Sequence, residues 1–351
     1  MSTLAETHDA LLLDLDGTVY LGGQPIDHVG PALARAAQQG ARSVFVTNNA
    51  SRPPAEVAES LTAMGVPASP PDVLTSPEAA AAMLTDRHPQ GAKVLVVGAP
   101  WLAESVRQVG LVPVRLASDD PVAVVQGHSP DNGWRELAEA CIALRAGADW
   151  VACNVDTTLP TDRGLLPGNG AMVAALVAAT GLKPRVAGKP ERPLLDAAVR
   201  RVNSRRPLVV GDRLDTDIAC AHAADVPSLM VLTGVSTTAD LLAAPPALRP
   251  TFLAFDLRGL VDEDRTARIP GGRTTTSGRS VEWSVAVDGE RLVLSSSQQG
   301  SDAPQGVSDA AALRALAMLA AAAWASELTA VHADDQAAAA ALWRCGLAGG
   351  S

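Results

Sequence analysis

Short apolar runs recur along the chain, each closed by Gly, Asp, Asn or Thr, and the stretches between them carry apolar residues at helical spacing. Residues 10–15 predict a strand and 29–39 a helix, with Pro31 near its start and Gly40 just past its end. Residues 43–47 predict a second strand and 54–64 a second helix closed by Gly65. From about residue 78 a separate set begins, with strands expected at 93–98, 122–127 and 149–154 and helices between them. After Gly188 the first rhythm resumes: a helix from Pro190, a strand at 208–212, a helix from about 215 and a strand at 228–233. Alternating strands and helices are the pattern of a parallel sheet covered on both faces, so the expected class is α/β, a doubly wound parallel-sheet core carrying an inserted α/β domain.

The rhythm fails at residues 262–280, DEDRTARIPGGRTTTSGRS, which have no hydrophobic period and read as a linker. Beyond it, WSVAVDGERLVLSS alternates around Asp288 and Gly289, the signature of a hairpin with a tight primed turn. A long Ala/Leu helix over 308–327, a short strand near 328–332 and a helix near 335–344 follow. The division expected is a core from 1–77 and 188–261, an insertion from 78–187, a linker from 262–280 and a small α+β domain from 281–351, with Trp283, Trp324 and Trp343 in the core of the last.

Composition narrows the function classes. A formal charge of −10 and scattered arginines with few aromatics between them argue against a nucleic-acid surface. The longest apolar stretch, residues 315–325, is too short to cross a bilayer, and no cationic leader precedes the first strand, so a soluble cytoplasmic protein with no membrane partner is expected. Cys141, Cys153, Cys220 and Cys345 form no CxxC pair and read as reduced core residues. Lysine occurs only at 93, 183 and 189, which draws attention to the chemistry of those three amines.

The first strand, LLLDLDGT, ends in two acids, Asp14 and Asp16. Buried carboxylates without a partner are costly, so two of them at a strand end call for a cation, a proton or a reaction. Ligands of parallel α/β sheets bind outside the carboxyl ends of the strands. Four polar clusters fall at such ends: Asp14, Asp16 and Thr18; Thr47, Asn48 and Asn49; Lys189; and Asp212, Asp215 and Asp217 in GDRLDTD. Asp14, Asp16 and Asp212 offer hard oxygen ligands with no His or Cys nearby, which suits Mg²⁺ better than zinc. Thr47, the amides around Asn48, and Lys189 with the helix expected at Pro190 supply donors for an anion, inferred to be phosphate. Asp215 reads as a helix-start acid, and His128 and His222 as packing or surface residues.

In order and context, DLDGT, VTNNAS, GKP and GDRLDTD resemble the four motifs of the haloacid dehalogenase superfamily phosphatases. The resemblance covers about residues 9–260. It implies that Asp14 is the nucleophile that forms an aspartyl-phosphate and that Asp16 protonates the leaving alcohol and then activates water. It further implies Mg²⁺ bound by Asp14, the main-chain carbonyl of Asp16 and Asp212, with Asp217 ordering the metal shell and with Thr47, Asn48 and Lys189 holding the phosphoryl group. The insertion is similar to the type two cap of the branch that contains p-nitrophenyl phosphatase and phosphoglycolate phosphatase. The stretch 154–170, NVDTTLPTDRGLLPGNG, resembles that branch's segment before the cap helix, which makes Asn154, Asp156 and Arg163 candidate contacts for the substrate's alcohol.

Within the branch the cap segment, GDRLDTDI and the C-terminal extension resemble the actinobacterial glycerol 3-phosphate phosphatases. The expected activity is therefore Mg²⁺-dependent hydrolysis of a small phosphorylated metabolite, with glycerol 3-phosphate as the expected substrate. A broader sugar-phosphate, phosphoglycolate or nucleotide phosphatase is the alternative within enzymes, and the resemblance allows a homodimer through the cap. A signalling receiver would also combine a phosphoacceptor Asp with Thr and Lys. Receivers, however, carry their acid pair on the first strand and the acceptor on the third, and have no inserted domain. The strand and helix order of the last segment distantly resembles a shortened acetyltransferase of the GNAT type, but QQGSDAPQGVSDAAA does not match that family's pyrophosphate loop, so a non-catalytic role is expected there.

Overall fold

The computed structural model describes residues 2–161, 163–270, 283–296 and 307–347. The chain divides into two compact units, one of residues 1–43, 64–66 and 204–351, the other of residues 44–63 and 67–203.

In the first unit the strands Ala10–Leu13, Pro207–Gly211, Ser228–Val231 and Phe252–Ala254 pair in parallel, each beside the next, and Ala267–Arg268 adds an antiparallel edge. All four residues of Ala10–Leu13 are buried, as are Leu208–Gly211 and Ser228–Val231. This is why the sequence shows continuous apolar runs there and no alternation. Leu13 lies opposite Val210, so both chains leave the sheet at the same end, and the residues that follow, Asp14 and Asp212, emerge together.

The stretch expected to be a linker starts with structure. Residues Glu263–Arg265 form a 3-10 turn, Ala267–Arg268 is the edge strand, and Ala267 and Ile269 are buried. Two apolar residues two apart are enough for a two-residue edge strand and too few to register as a hydrophobic period. Residues 271–282 lie outside the described residues. The hairpin is present as Trp283–Asp288 and Arg291–Ser296, with Val331–Ala333 as a third, parallel strand. Its two-residue turn is Gly289–Glu290, one position later than the sequence suggests; Gly289 has φ +59° and Glu290 does not share it, the pattern of a primed turn with Gly first.

The long helix Asp309–Ser326 has the length and composition of a membrane span, yet Leu313, Leu316, Leu319 and Ala320 are buried. They share one hydrophobic cluster with Leu214, Ile218, Met230, Leu241 and Leu242 of the parallel-sheet region. The C-terminal segment thus has no separate core. Trp283 is buried and Trp324 partly so, but Trp343 is 73% exposed, against expectation. In the helix Gln336–Arg344 the buried positions are Ala338, Ala341 and Leu342, and Cys345 follows in step; position 343 falls off that stripe.

In the second unit residues of the strand Arg42–Thr47 pair in parallel with Val73–Thr75. A five-stranded sheet runs in the order Arg185–Val186, Asp149–Ala152, Ala123–Gln126, Lys93–Val97, Val112–Val114, all parallel. Leu95, Val97, Val124, Trp150 and Ala152 on one face pack against Ala140, Ala143 and Leu144 of the helix Trp134–Arg145 and Val173 and Leu176 of Asn169–Thr180. The hairpin Thr158–Thr161 and Gly164–Pro167 stands outside that sheet. The helix expected from Pro190 begins at Pro193, because Glu191 closes a tight turn through its amide to the Gly188 carbonyl before the helix starts.

Candidate active site

In the first unit, Asp14, Asp212 and Asp217 each present a carboxylate oxygen, and the three oxygens lie within 4.8 Å of one another. Asp14 is half-buried, Asp212 is fully buried and Asp217 nearly so. The Asp14 amide donates to the Val210 carbonyl at 2.9 Å, which continues the pairing of the two strands one residue past their ends. Three carboxylates this close repel one another unless a cation or a proton offsets their charge, and an all-oxygen donor set without thiolate or imidazole fits Mg²⁺. The residues present therefore fit the ion.

Asp212 is held on every side. Its Oδ1 accepts from the Thr18 hydroxyl at 3.3 Å and its Oδ2 from the Val235 amide at 2.7 Å, while its carbonyl accepts from the Ser236 amide at 3.2 Å. A Cβ on Gly17, at φ +86°, would lie 2.4 Å from Asp212 Oδ2, and one on Gly234 2.0 Å from the same oxygen. Both neighbours must be glycine for the carboxylate to sit where it does. The Thr233 hydroxyl donates to the Gly17 carbonyl at 2.5 Å, tying the two flanking loops together.

Asp217 reaches the cluster through an irregularity. Leu214–Ile218 is a π-type turn, with the Ile218 amide bonded to the Arg213 carbonyl, and it leads into the helix Ala219–Ala224. The wider turn swings Asp217 back so that its Oδ2 accepts from the Arg213 amide at 3.2 Å, and it packs so tightly on Gly211 that a Cβ there would meet Asp217 at 2.3 Å. Asp217, expected to order the shell from outside, is thus one of the three convergent carboxylates. The Asp16 side chain is exposed and stands apart from them; its expected contribution to the metal is through its main-chain carbonyl. Asp215 is exposed and bonded to the Arg213 guanidinium, whose hydrogen bond holds its carboxyl below the usual range.

In the second unit, Asn48 is a hub. Its Oδ1 accepts from the Lys189 amide at 2.9 Å, and its Nδ2 donates to the Lys189 carbonyl at 3.0 Å and to Asp156 at 3.2 Å. Its carbonyl accepts from Ser76 Oγ and from Asn154 Nδ2, each at 2.8 Å. Lys189 is 3% exposed, with Nζ donating to the Val46 carbonyl at 3.2 Å. Thr47 Oγ1 accepts from the Asn49 amide at 3.1 Å. Asn48, Asn154, Asp156 and Lys189 are therefore one connected group, and Thr47 precedes Asn48 in the chain. Arg163 is exposed at the turn of the Thr158–Thr161 and Gly164–Pro167 hairpin, and its amide donates to Thr161 Oγ1.

The loop of residues 233–237 that clasps Asp212 escapes the sequence reading. Its signal is LTGVST directly after an apolar strand, a Gly between hydroxyl residues at a fifth strand end.

A haloacid dehalogenase-like hydrolase model matches residues 11–112 and a HAD-hydrolase-like model residues 186–260. The chain is 52% identical over 284 residues to a D-glycerol 3-phosphate phosphatase of Mycobacterium tuberculosis, covering 80% of each protein. It is 34% identical to an acid sugar phosphatase of Staphylococcus saprophyticus, over 74% of this chain and 98% of that protein. Among solved structures it resembles a glycerol phosphate phosphatase from Mycobacterium tuberculosis in complex with magnesium, at 46% identity and TM-score 0.87 over 99% of both chains. A p-nitrophenyl phosphatase from Archaeoglobus fulgidus follows at 27% identity and TM-score 0.67, over 72% of this chain and 98% of that one. With both motif-bearing regions matched and a relative of this identity spanned over four-fifths of its length, the chain belongs to the haloacid dehalogenase-like hydrolases.

Proposed function

We propose that the protein is a Mg²⁺-dependent phosphomonoesterase that converts glycerol 3-phosphate to glycerol and inorganic phosphate. The observation that carries the reading is the convergence of Asp14, Asp212 and Asp217 at the strand ends, in a chain 52% identical to a D-glycerol 3-phosphate phosphatase. Mg²⁺, held by these carboxylates and the Asp16 carbonyl, would supply positive charge that offsets their repulsion from a phosphoryl oxygen.

The chain's own groups then do the following. An Asp14 oxygen attacks phosphorus, the bond to the alcohol oxygen breaks, and the Asp16 carboxyl gives that oxygen its proton. The resulting Asp16 carboxylate takes a proton from water as that water attacks the aspartyl-phosphate, which releases phosphate and restores Asp14. Thr47 and the buried Lys189 amine hold the phosphoryl oxygens, and Asn48 fixes Lys189 in place. The inserted cap, read as residues 78–187, selects the alcohol through Asn154, Asp156 and Arg163 and limits water.

A broader specificity is the second reading, favoured by the 34% identity to an acid sugar phosphatase and to a 5'-nucleotidase of Bacillus subtilis. Phosphate release measured across glycerol phosphates, sugar phosphates, phosphoglycolate and nucleotides decides between them. Glycerol 3-phosphate is expected to give the highest kcat/KM, and equal values across the panel would remove the specific assignment. Asp14→Asn is expected to lower kcat by about a thousandfold or more, since the covalent route is lost. Residual turnover near the unaltered level would refute the nucleophile. Four free cysteines fit a reducing compartment, and we place the reaction in the cytoplasm with a homodimer as the assembly, to be checked by fractionation and sedimentation.

A further inference from the structure

We propose that the C-terminal segment is a brace for the metal site, acting through Trp324 and Thr238 as positioning residues for Asp212. The inference rests on the phosphatase reading and deepens it.

The argument runs outward from Asp212. Its carboxylate and carbonyl are bonded to the amides of Val235 and Ser236, the Leu214 amide is bonded to Ser236 Oγ at 3.0 Å, and Gly234 packs directly on the carboxylate. One end of this loop is fixed by the strand Ser228–Val231; the other runs into Thr238–Leu242, a helix of five residues. A helix that short does not hold itself in water, so its position is set by what it packs against.

What it packs against is the C-terminal segment. The Trp324 indole donates to the Leu241 carbonyl at 2.9 Å, and the Thr238 hydroxyl donates to the Cys345 carbonyl at 2.8 Å. Leu241 and Leu242 are buried in the same cluster as Leu316, Leu319 and Ala323 of the long helix. The Arg249 guanidinium lies 5.0 Å over the Trp324 ring and donates to the Ala244 carbonyl at 3.0 Å, so the turn after the short helix is held as well. Leu214, Ile218 and Met230 belong to that cluster too, which seats the π-type turn bearing Asp217 on the same support. Two of the three convergent carboxylates therefore depend for their placement on elements that the C-terminal helices cover.

The test uses the full chain. Trp324→Phe keeps the ring and removes the N–H; Thr238→Val keeps the shape and removes the hydroxyl. Mg²⁺ affinity is read by calorimetry without substrate, with circular dichroism and melting to confirm the fold. Each single variant is expected to bind Mg²⁺ about threefold more weakly and the double variant roughly tenfold, as a net hydrogen bond implies. Turnover should recover at saturating Mg²⁺, and Trp343→Ala, on the exposed face, should leave the affinity unchanged. A double variant that melts lower yet binds Mg²⁺ as the unaltered chain does would overturn the inference alone. No Mg²⁺ binding by the unaltered chain would overturn the phosphatase reading and the inference with it.

Discussion

Gly17 and Gly234 press on Asp212 from two sides, so the metal site's geometry is set as much by missing side chains as by carboxylates. Gly234→Ala forces a methyl into the space of Oδ2 and is expected to cut phosphatase activity at limiting Mg²⁺ by about tenfold or more, with a smaller effect on melting. Gly17→Ala adds the strain of a residue at φ +86° and should cost stability as well, about 1–3 kcal/mol by denaturant unfolding. The carboxylates were legible in the sequence because acids at the end of an apolar strand are conspicuous. Their glycine neighbours were not, because contact between residues 17, 212 and 234 exists only once the strands pair. Asn48 shows the same limit: the amides around it read as anion donors, while the bonds of its side chain to Lys189 and Asp156 carry no signal in the sequence.

At the scale of elements, the parallel strands were readable from continuous apolar runs, and their ends from the polar residues that follow. Positions governed by packing were less so. Trp343 looks like core by residue type, but its place on the helix is decided by the stripe through Ala338, Ala341 and Leu342. Within the five-stranded sheet, Asp149 at the start of its strand meets the Arg185 guanidinium at 2.5 Å and His88 at 3.4 Å. Burial by itself raises the Asp149 carboxyl, but the hydrogen bond and charge of Arg185, the Trp150 amide and His88 outweigh it and hold the group below its ordinary range. A carboxyl depressed in the folded state adds stability that is present above about pH 4, its unfolded value, and lost as pH falls through the folded value. Asp149→Asn should therefore lower the melting temperature at neutral pH and flatten its decline between about pH 5 and pH 3. On the next strand Gln126 is fully buried with neither amide atom partnered among the described residues. Gln126→Met, close in volume, is expected to raise stability by about 1 kcal/mol in urea unfolding.

For the whole molecule, the shared cluster changes how the last seventy residues are understood. A break in hydrophobic period around residue 262 suggests an independent C-terminal domain, and sequence spacing carries no trace of the fact that its helices complete a core begun at Leu214. Leu316→Ala should cost about 2–5 kcal/mol, and the loss should appear in the melting of the parallel-sheet unit, since Met230 and Leu241 belong to the same buried cluster. Calorimetry that resolved a separate low-temperature transition for the C-terminal segment, with the sheet unit unaffected, would contradict a common core.

The scarcity of lysine has a practical side once burial is known. Lys93 and Lys183 are exposed while Lys189 is shut away beneath its neighbours. Acylating reagents or an amine-reactive support would meet those two exposed side chains. The protein can be tagged, tethered or cross-linked through amines with the buried Lys189 ammonium left untouched.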